Sequence, residues 1–342
     1  MHVQTNISLK KYNTFGIDVL TKYFASFSAI EVLNELLEFK VPTTINHQLS
    51  TLVLGGGSNM LFTKNFDGII LKNEIKGIEI VKQDDDYVYV KAGAGENWHQ
   101  FVLYCINNNL AGVENLSLIP GNIGASPMQN IGAYGVEIKD VFHSLEAFHL
   151  KEKVIEIFNL NDCAFGYRES VFKKEYKNQF VITSVTFRLN KKPVFNTSYG
   201  AIEQELEKMG VKEISIKAIS AAVINIRSSK LPNPAEIGNA GSFFKNPEIE
   251  KSAFDILHAA FPGIVGYALS NGNVKLAAGW LIEQCGWKGY RNGDAGCHAK
   301  QALVLVNYGN AKGEEIFALS EAIIASVYEK FRVLLEREVN II

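Results

Sequence analysis

The chain has 342 residues, 47% of them hydrophobic, and a formal net charge of −2. That length calls for two or three domains with sizeable cores, and the near-neutral balance offers no field for a nucleic-acid backbone. Lys10 and Lys11 stand where a secretory signal needs its apolar core, and no later apolar run approaches membrane-spanning length, so a soluble cytoplasmic protein is expected. Cys105, Cys163, Cys285 and Cys297 lie far apart without Cys-x-x-Cys spacing, which argues for reduced structural thiols and against zinc or a disulfide frame.

In chain order, the apolar run 51–54 enters GGGSN at 55–59, a strand running into a tight turn. Consecutive main-chain N–H groups flanked by Ser58 and Asn59 suit a pyrophosphate, with a plain hairpin turn as the alternative. The dinucleotide fingerprint is only partial. Met60 occupies the third-glycine position, and LFTKNFDG reads as strand and turn instead of helix. Residues 68–93 carry three strands, GIIL, IEIV and YVYV, separated by turns that include the solvated acidic knot 84–86. GENW at 95–98 opens a helix to about residue 107 with Trp98, Phe101, Val102 and Cys105 on its core face.

The stretch 120–135, PGNIGASPMQNIGAYG, has neither helical nor alternating apolar period. Its glycines let main chain approach a phosphate or an aromatic ring system, while Ile119, Met128 and Ile131 anchor it inward, so it reads as a ligand loop. A hairpin over 145–160 and a strand over 180–189 complete a β-rich α+β first half. Between them, FGYRESVF sets Arg168 among aromatics, which fits an arginine aimed at an anion. A surface ion pair with Glu169 or Glu175 is the alternative.

Residues 196–206 form a polar loop entering a helix, with Tyr199 near its tip. A helix over 215–229 carries Ile216, Ile219, Val223 and Ile226 on one stripe and stops at LPNP, a candidate domain boundary. In GNAGSFFKNP, Ser242 lacks a G-x-S-x-G elbow, so hydrolase chemistry is poorly supported. The last third is expected to hold a helix over 275–285, a strand over 302–307, an amphipathic helix over 313–331 and a final strand, LLEREVNII. Glu336 and Glu338 would share one water-facing side of that strand.

Taken in order, GGGSNML, GENW, LIPGNIGASPMQNIGAYG, FGYRESVFK, RSSKLPNP, GNAGSFFKNP, VKLAAGWLIEQCG, QALVLVN and LEREV closely resemble the UDP-N-acetylenolpyruvoylglucosamine reductase (MurB) family, in its longer-loop form. The resemblance implies an α+β flavoprotein: two FAD-binding subdomains of the p-cresol methylhydroxylase type at 1–75 and 76–228, and a substrate-binding subdomain at 229–332. The terminal strand 333–342 would return to the first of these. It further implies a cytoplasmic monomer that reduces the enolpyruvyl group of a UDP-sugar in peptidoglycan synthesis, with non-covalent FAD and NADPH.

By position, the resemblance assigns the flavin to Gly55, Gly56, Gly57, Ser58, Asn59, Met60 and Leu61, and to Ile119, Pro120, Gly121, Gly124, Ala125, Ser126, Gln129, Asn130, Gly132 and Ala133. Arg168 and Glu338 would stabilise the developing enolate, and Ser242 would protonate the α-carbon. Tyr199, Lys230, Asn246, Tyr267, Lys275 and Gln301 would contact the UDP-sugar. Three positions depart from the family pattern: Ala125 where a second serine is common, Arg337 for a frequent proline, and Asn340 for a frequent arginine. An FAD-linked oxidase of the same flavin fold is the enzymatic alternative, although neither glycine-rich loop carries a histidine or cysteine for covalent attachment. A non-catalytic nucleotide sensor is the other, and it leaves Arg168, Ser242 and Glu338 unexplained.

Overall fold

The computed structural model describes residues 2–39 and 49–342. The chain divides into two compact units, Met1–Ile7, Thr21–Gly56 and Asp67–Ser229 in the first, and Ser8–Leu20, Gly57–Phe66 and Lys230–Ile342 in the second. Both mix helices with sheets, in keeping with the α+β reading.

The first unit rests on two sheets. In one, strand Ser50–Leu54 runs parallel to Phe66–Asn73, setting Thr51 opposite Ile69 and Val53 opposite Leu71. Helix Ile30–Leu37 packs Leu33 and Leu36 into the same core as Phe27 and Leu71. The other sheet is antiparallel and five-stranded, in the order Ile155–Asn159, Phe142–His149, Phe180–Asn190, Tyr87–Gly93, Ile78–Gln83. Helix Trp98–Asn107 covers it. Asn97 starts that helix by accepting the Gln100 N–H at 3.0 Å, a cap worth about 1 kcal/mol. Its Trp98 and Phe101 pack with Phe187 of the central strand, where the Phe101 and Phe187 ring centroids lie 4.7 Å apart.

The second unit is wrapped on helix Gly313–Phe331, which buries Ile316, Ile323, Val327 and Phe331 at the expected spacing and stops at Arg332 in the left-handed region (φ 57°). Two differences from the sequence reading have local causes. The helix expected from residue 275 starts at Ala278, because Lys275 lies in strand Val274–Leu276, opposite Glu248 on one side and Tyr267 on the other. The expected terminal strand is a two-residue strand, Asn340–Ile341, parallel to Met60–Leu61, preceded by a single bridge between Arg337 and Phe244. Glu336 and Glu338 therefore do not share a continuous water-facing edge. Glu336 is exposed and paired with Lys245, while Glu338 is half-buried. The strand expected over 302–307 is confined to Leu305–Asn307.

All four cysteines are free, and Cys105, Cys163 and Cys297 are buried. Burial raises their thiols, Cys163 and Cys297 to about 12. Among the described residues no helix is long and apolar enough to cross a membrane.

Candidate functional site

In the first unit, the 118–135 stretch is an irregular loop built on helix Trp98–Asn107. Trp98 N–H donates to the Gly121 carbonyl at 3.0 Å, and its indole donates to Leu116 O at 2.9 Å. Asn97 bridges Asn122, whose amide donates to Gly95 O at 2.8 Å. This is why GENW and the glycine-rich loop belong together: one holds the entry of the other. His99 Nδ1 accepts the Leu118 N–H at 3.0 Å, which needs a neutral ring, and burial together with the Arg227 charge lowers that imidazole's affinity for a proton.

Leu118, Gly121, Asn130, Tyr134 and Gly135 all have positive φ. A β-carbon on Gly56 would stand 2.8 Å from Gly121 Cα, so the end of the 50–56 strand and this loop touch main chain to main chain. That glycine is required by chain packing alone, whatever else it does. Lys72 Nζ donates to the Gly55 carbonyl at 2.6 Å, behind the same turn. Ser126 is buried and bonds Ile123 O, whereas Ala125 is exposed.

Arg168 sits in a two-residue turn closed by paired bonds between Gly166 and Glu169, itself with φ 56°. Its Nη2 donates to the Gly132 carbonyl at 2.8 Å, while Glu169 pairs with Lys174. The buried Asn130 side chain donates to Gly166 O and Glu137, each at 3.0 Å, and Ser170 Oγ donates to Met128 O at 2.7 Å. The expected flavin loop and the expected catalytic arginine are thus stitched together. A left-handed conformation at a bulky residue costs energy, and such residues persist where surrounding bonds impose them, commonly at functional sites.

Sequence reasoning missed Arg227. It lies on helix Ile216–Lys230, donates to the Tyr134 hydroxyl, and has its Nε enclosed without a hydrogen-bond partner. Its charge opposes those of Arg168 and His99. Two arginines near each other in a half-buried setting, one with an orphaned donor, suit an anionic ligand. The available signal was an arginine one turn before Lys230, directly after the apolar stripe Ile219, Val223 and Ile226. Tyr199 meets the Tyr134 ring edge-on at 5.5 Å, and Asn115 fixes both loops by donating to Tyr134 O and Asn196 O.

In the second unit, Ser242 and Glu338 are neighbours through the main chain. Glu338 N–H donates to Phe243 O at 2.8 Å, Lys245 N–H donates to Glu336 O at 2.9 Å, and Phe243 N–H donates to Leu303 O at 2.7 Å. Buried Phe243 and Phe244 lock this short ladder, leaving Ser242 and Glu338 half-buried at one end. Gly57 abuts Tyr12 so closely that a β-carbon would stand 2.0 Å from the Tyr12 carbonyl oxygen. Asn59 donates to Glu338 O at 3.1 Å, and Met60–Leu61 pair with Asn340–Ile341. Asn246 accepts the Ala278 N–H, Gln301 accepts that of Leu303, Tyr267 and Lys275 are cross-strand partners, and Lys230 is exposed.

A model of an FAD binding domain matches residues 43–157, and one of the UDP-N-acetylenolpyruvoylglucosamine reductase C-terminal domain matches 233–342. The bare main chain, amides and orphaned Arg227 donor fit an anionic, flat cofactor, so the body is that of an FAD-binding protein. UDP-N-acetylenolpyruvoylglucosamine reductases of Amoebophilus asiaticus and Flavobacterium johnsoniae are 52% and 51% identical, each covering 100% of both chains. The crystal structure of the Thermus caldophilus UDP-N-acetylenolpyruvylglucosamine reductase matches with a TM-score of 0.67 at 23% identity, over 100% of this chain and 99% of that one, which speaks for the fold. The chain belongs to the UDP-N-acetylenolpyruvoylglucosamine reductase family.

Proposed function

We propose that this chain reduces UDP-N-acetylglucosamine enolpyruvate to UDP-N-acetylmuramate, with bound FAD and with NADPH as reductant, as a cytoplasmic monomer in peptidoglycan synthesis. The observation that carries this reading is the ladder that sets Ser242 beside Glu338 in a family member. FAD, held by Gly55–Leu61 and 119–133, would supply hydride-transfer chemistry there, with NADPH as the hydride source, NADP⁺ as its product, and the enolpyruvyl double bond gaining one hydride and one proton.

The residues of the chain then handle charge and proton. Hydride addition leaves negative charge on the α-carbon and carboxylate, and the Arg168 guanidinium, fixed by Gly132, is suited to stabilise it without reorganising. Ser242 Oγ would give its proton to the α-carbon, and Glu338, which must carry a proton to act as donor, would hydrogen-bond the same developing charge. Gly55–Leu61 and 119–133 would hold the flavin. Tyr199, Lys230, Asn246, Tyr267, Lys275 and Gln301 would hold the UDP-sugar. The three functional parts would be 1–75 with 333–342, 76–228, and 229–332.

A two-step anaerobic titration tests this. NADPH should bleach the yellow protein, and the enolpyruvyl UDP-sugar should restore the colour in stoichiometric amount. Protein that cannot take up FAD, or a bleached form that the sugar fails to reoxidise, would sink the proposal.

A further inference from the structure

Glu338 is held on two sides by side chains that the reaction does not use. On one side, Arg337 donates from Nε to Ser320 Oγ at 2.8 Å, pairs with Glu321, and stacks its guanidinium 4.7 Å over the Phe317 ring, all on helix Gly313–Phe331. On the other side, Asn340 donates to the Asn59 carbonyl twice, from Nδ2 at 2.8 Å and from its main-chain N–H at 3.2 Å. Asn59 answers by donating from its own Nδ2 to the Glu338 carbonyl at 3.1 Å. Three residues thus close a two-way clasp in which one bond separates Asn59 from the Glu338 main chain.

We infer that Asn340 is a positioning residue whose clasp with Asn59 couples the 57–61 loop to the place of the Glu338 carboxyl. This rests on the proposed function for the role of Glu338 and for flavin on that loop. The physical argument is the asymmetry of the two anchors. Arg337 fastens the segment to a helix, a fixed support. Asn340 fastens it to the 57–61 turn, the stretch that the proposed function sets against the flavin. The antiparallel bond from Glu338 N–H to Phe243 O carries any such shift toward Ser242. A flavin that settles the loop therefore also settles the pair.

The main-chain N–H of residue 340 keeps its bond to Asn59 O in any variant, so the Nδ2 half of the clasp is what substitution tests, and it needs a side-chain donor because the Asn59 carbonyl can only accept. Asn340→Arg keeps a donor there, and Asn340→Asp removes it at equal size. With holoenzyme, Asn340→Ala and Asn340→Asp should slow sugar-dependent reoxidation about tenfold, the scale of one lost hydrogen bond, and weaken FAD binding to apoprotein about fivefold. NADPH bleaching should stay within about twofold of wild type, and Asn340→Arg should recover both losses. Arg337→Ala should slow the sugar step without changing FAD affinity. Unchanged FAD affinity in Asn340→Ala would overturn the inference, as would equal slowing of both half-reactions. If wild-type flavin is not reoxidised by the sugar, the functional reading falls, and the FAD titrations of the 340 variants still decide the clasp.

Discussion

The loop at 118–135 and the Ser242–Glu338 ladder solve the same problem, holding the groups proposed for cofactor and substrate outside long regular elements, by opposite means. The loop is held largely by side chains. His99, Asn115 and Ser170 reach an N–H or carbonyl of the loop at Leu118, Tyr134 and Met128, and the loop's own Asn122 and Asn130 reach the carbonyls of Gly95 and Gly166. The ladder is held by main chain, with N–H to carbonyl bonds along 243–245 and 336–338 and two buried phenylalanines behind it. Side-chain anchoring fixes irregular curvature but is vulnerable to single substitutions and to pH. Main-chain pairing resists both, and leaves the exposed side chains free to be chosen for chemistry.

The largest effect should come where the ladder's side chain is removed and its backbone is left intact. Ser242→Ala should lower the rate of sugar-dependent flavin reoxidation by roughly 10³-fold, the scale of a lost general acid, with melting temperature and NADPH bleaching near wild type. Rapid-mixing absorbance at the flavin band separates the two steps, and equal loss of both would break the assignment. A stability effect of intermediate size belongs to the loop. Asn130→Ala removes three bonds from a buried amide, to Gly166 O, to Glu137 and from Lys139 N–H, and should cost about 2 kcal/mol in chemical denaturation. A change below a few tenths would show that the turn carrying Arg168 holds itself.

The smallest effect is pH dependence at His99. Its folded-state proton affinity is lowered, by burial first and by Arg227 second, so between the folded and unfolded values the unfolded chain binds more protons. The contribution of the neutral ring is complete above the ordinary imidazole range and is lost as pH falls through the lower, folded value. Melting curves across pH 5–8 should show the wild type losing stability on acidification more steeply than His99→Gln, which keeps an acceptor without titrating. Parallel curves would remove His99 from the loop's support.

The same contrast governs what could be read from sequence. Glycine and proline announce irregular main chain, so the turn at 55–59 and the irregular course of 120–135 are legible in the sequence, and the core faces of Trp98–Asn107 and Gly313–Phe331 follow from period alone. The ladder was not visible. Its pairing joins segments far apart in the chain, and LLEREVNII reads as one strand because nothing local reveals that a bridge at Arg337 is followed by a separate pairing at Asn340. Arg227 escaped because one arginine on an amphipathic helix has the same appearance whether it meets solvent or the half-buried Tyr134. The helix expected over 275–285 takes in Lys275 because nothing local marks the strand, and only its cross-strand partners Glu248 and Tyr267 decide otherwise.

The buried thiols have a practical consequence. Cys105, Cys163 and Cys297 are enclosed and their thiolates disfavoured, and Cys285 is only half-covered, with its own thiol raised by burial. A cysteine-directed dye should therefore attach at one position in the native protein and at four once the fold opens. Labelling stoichiometry becomes a ruler for unfolding that needs neither the flavin's colour nor any substrate.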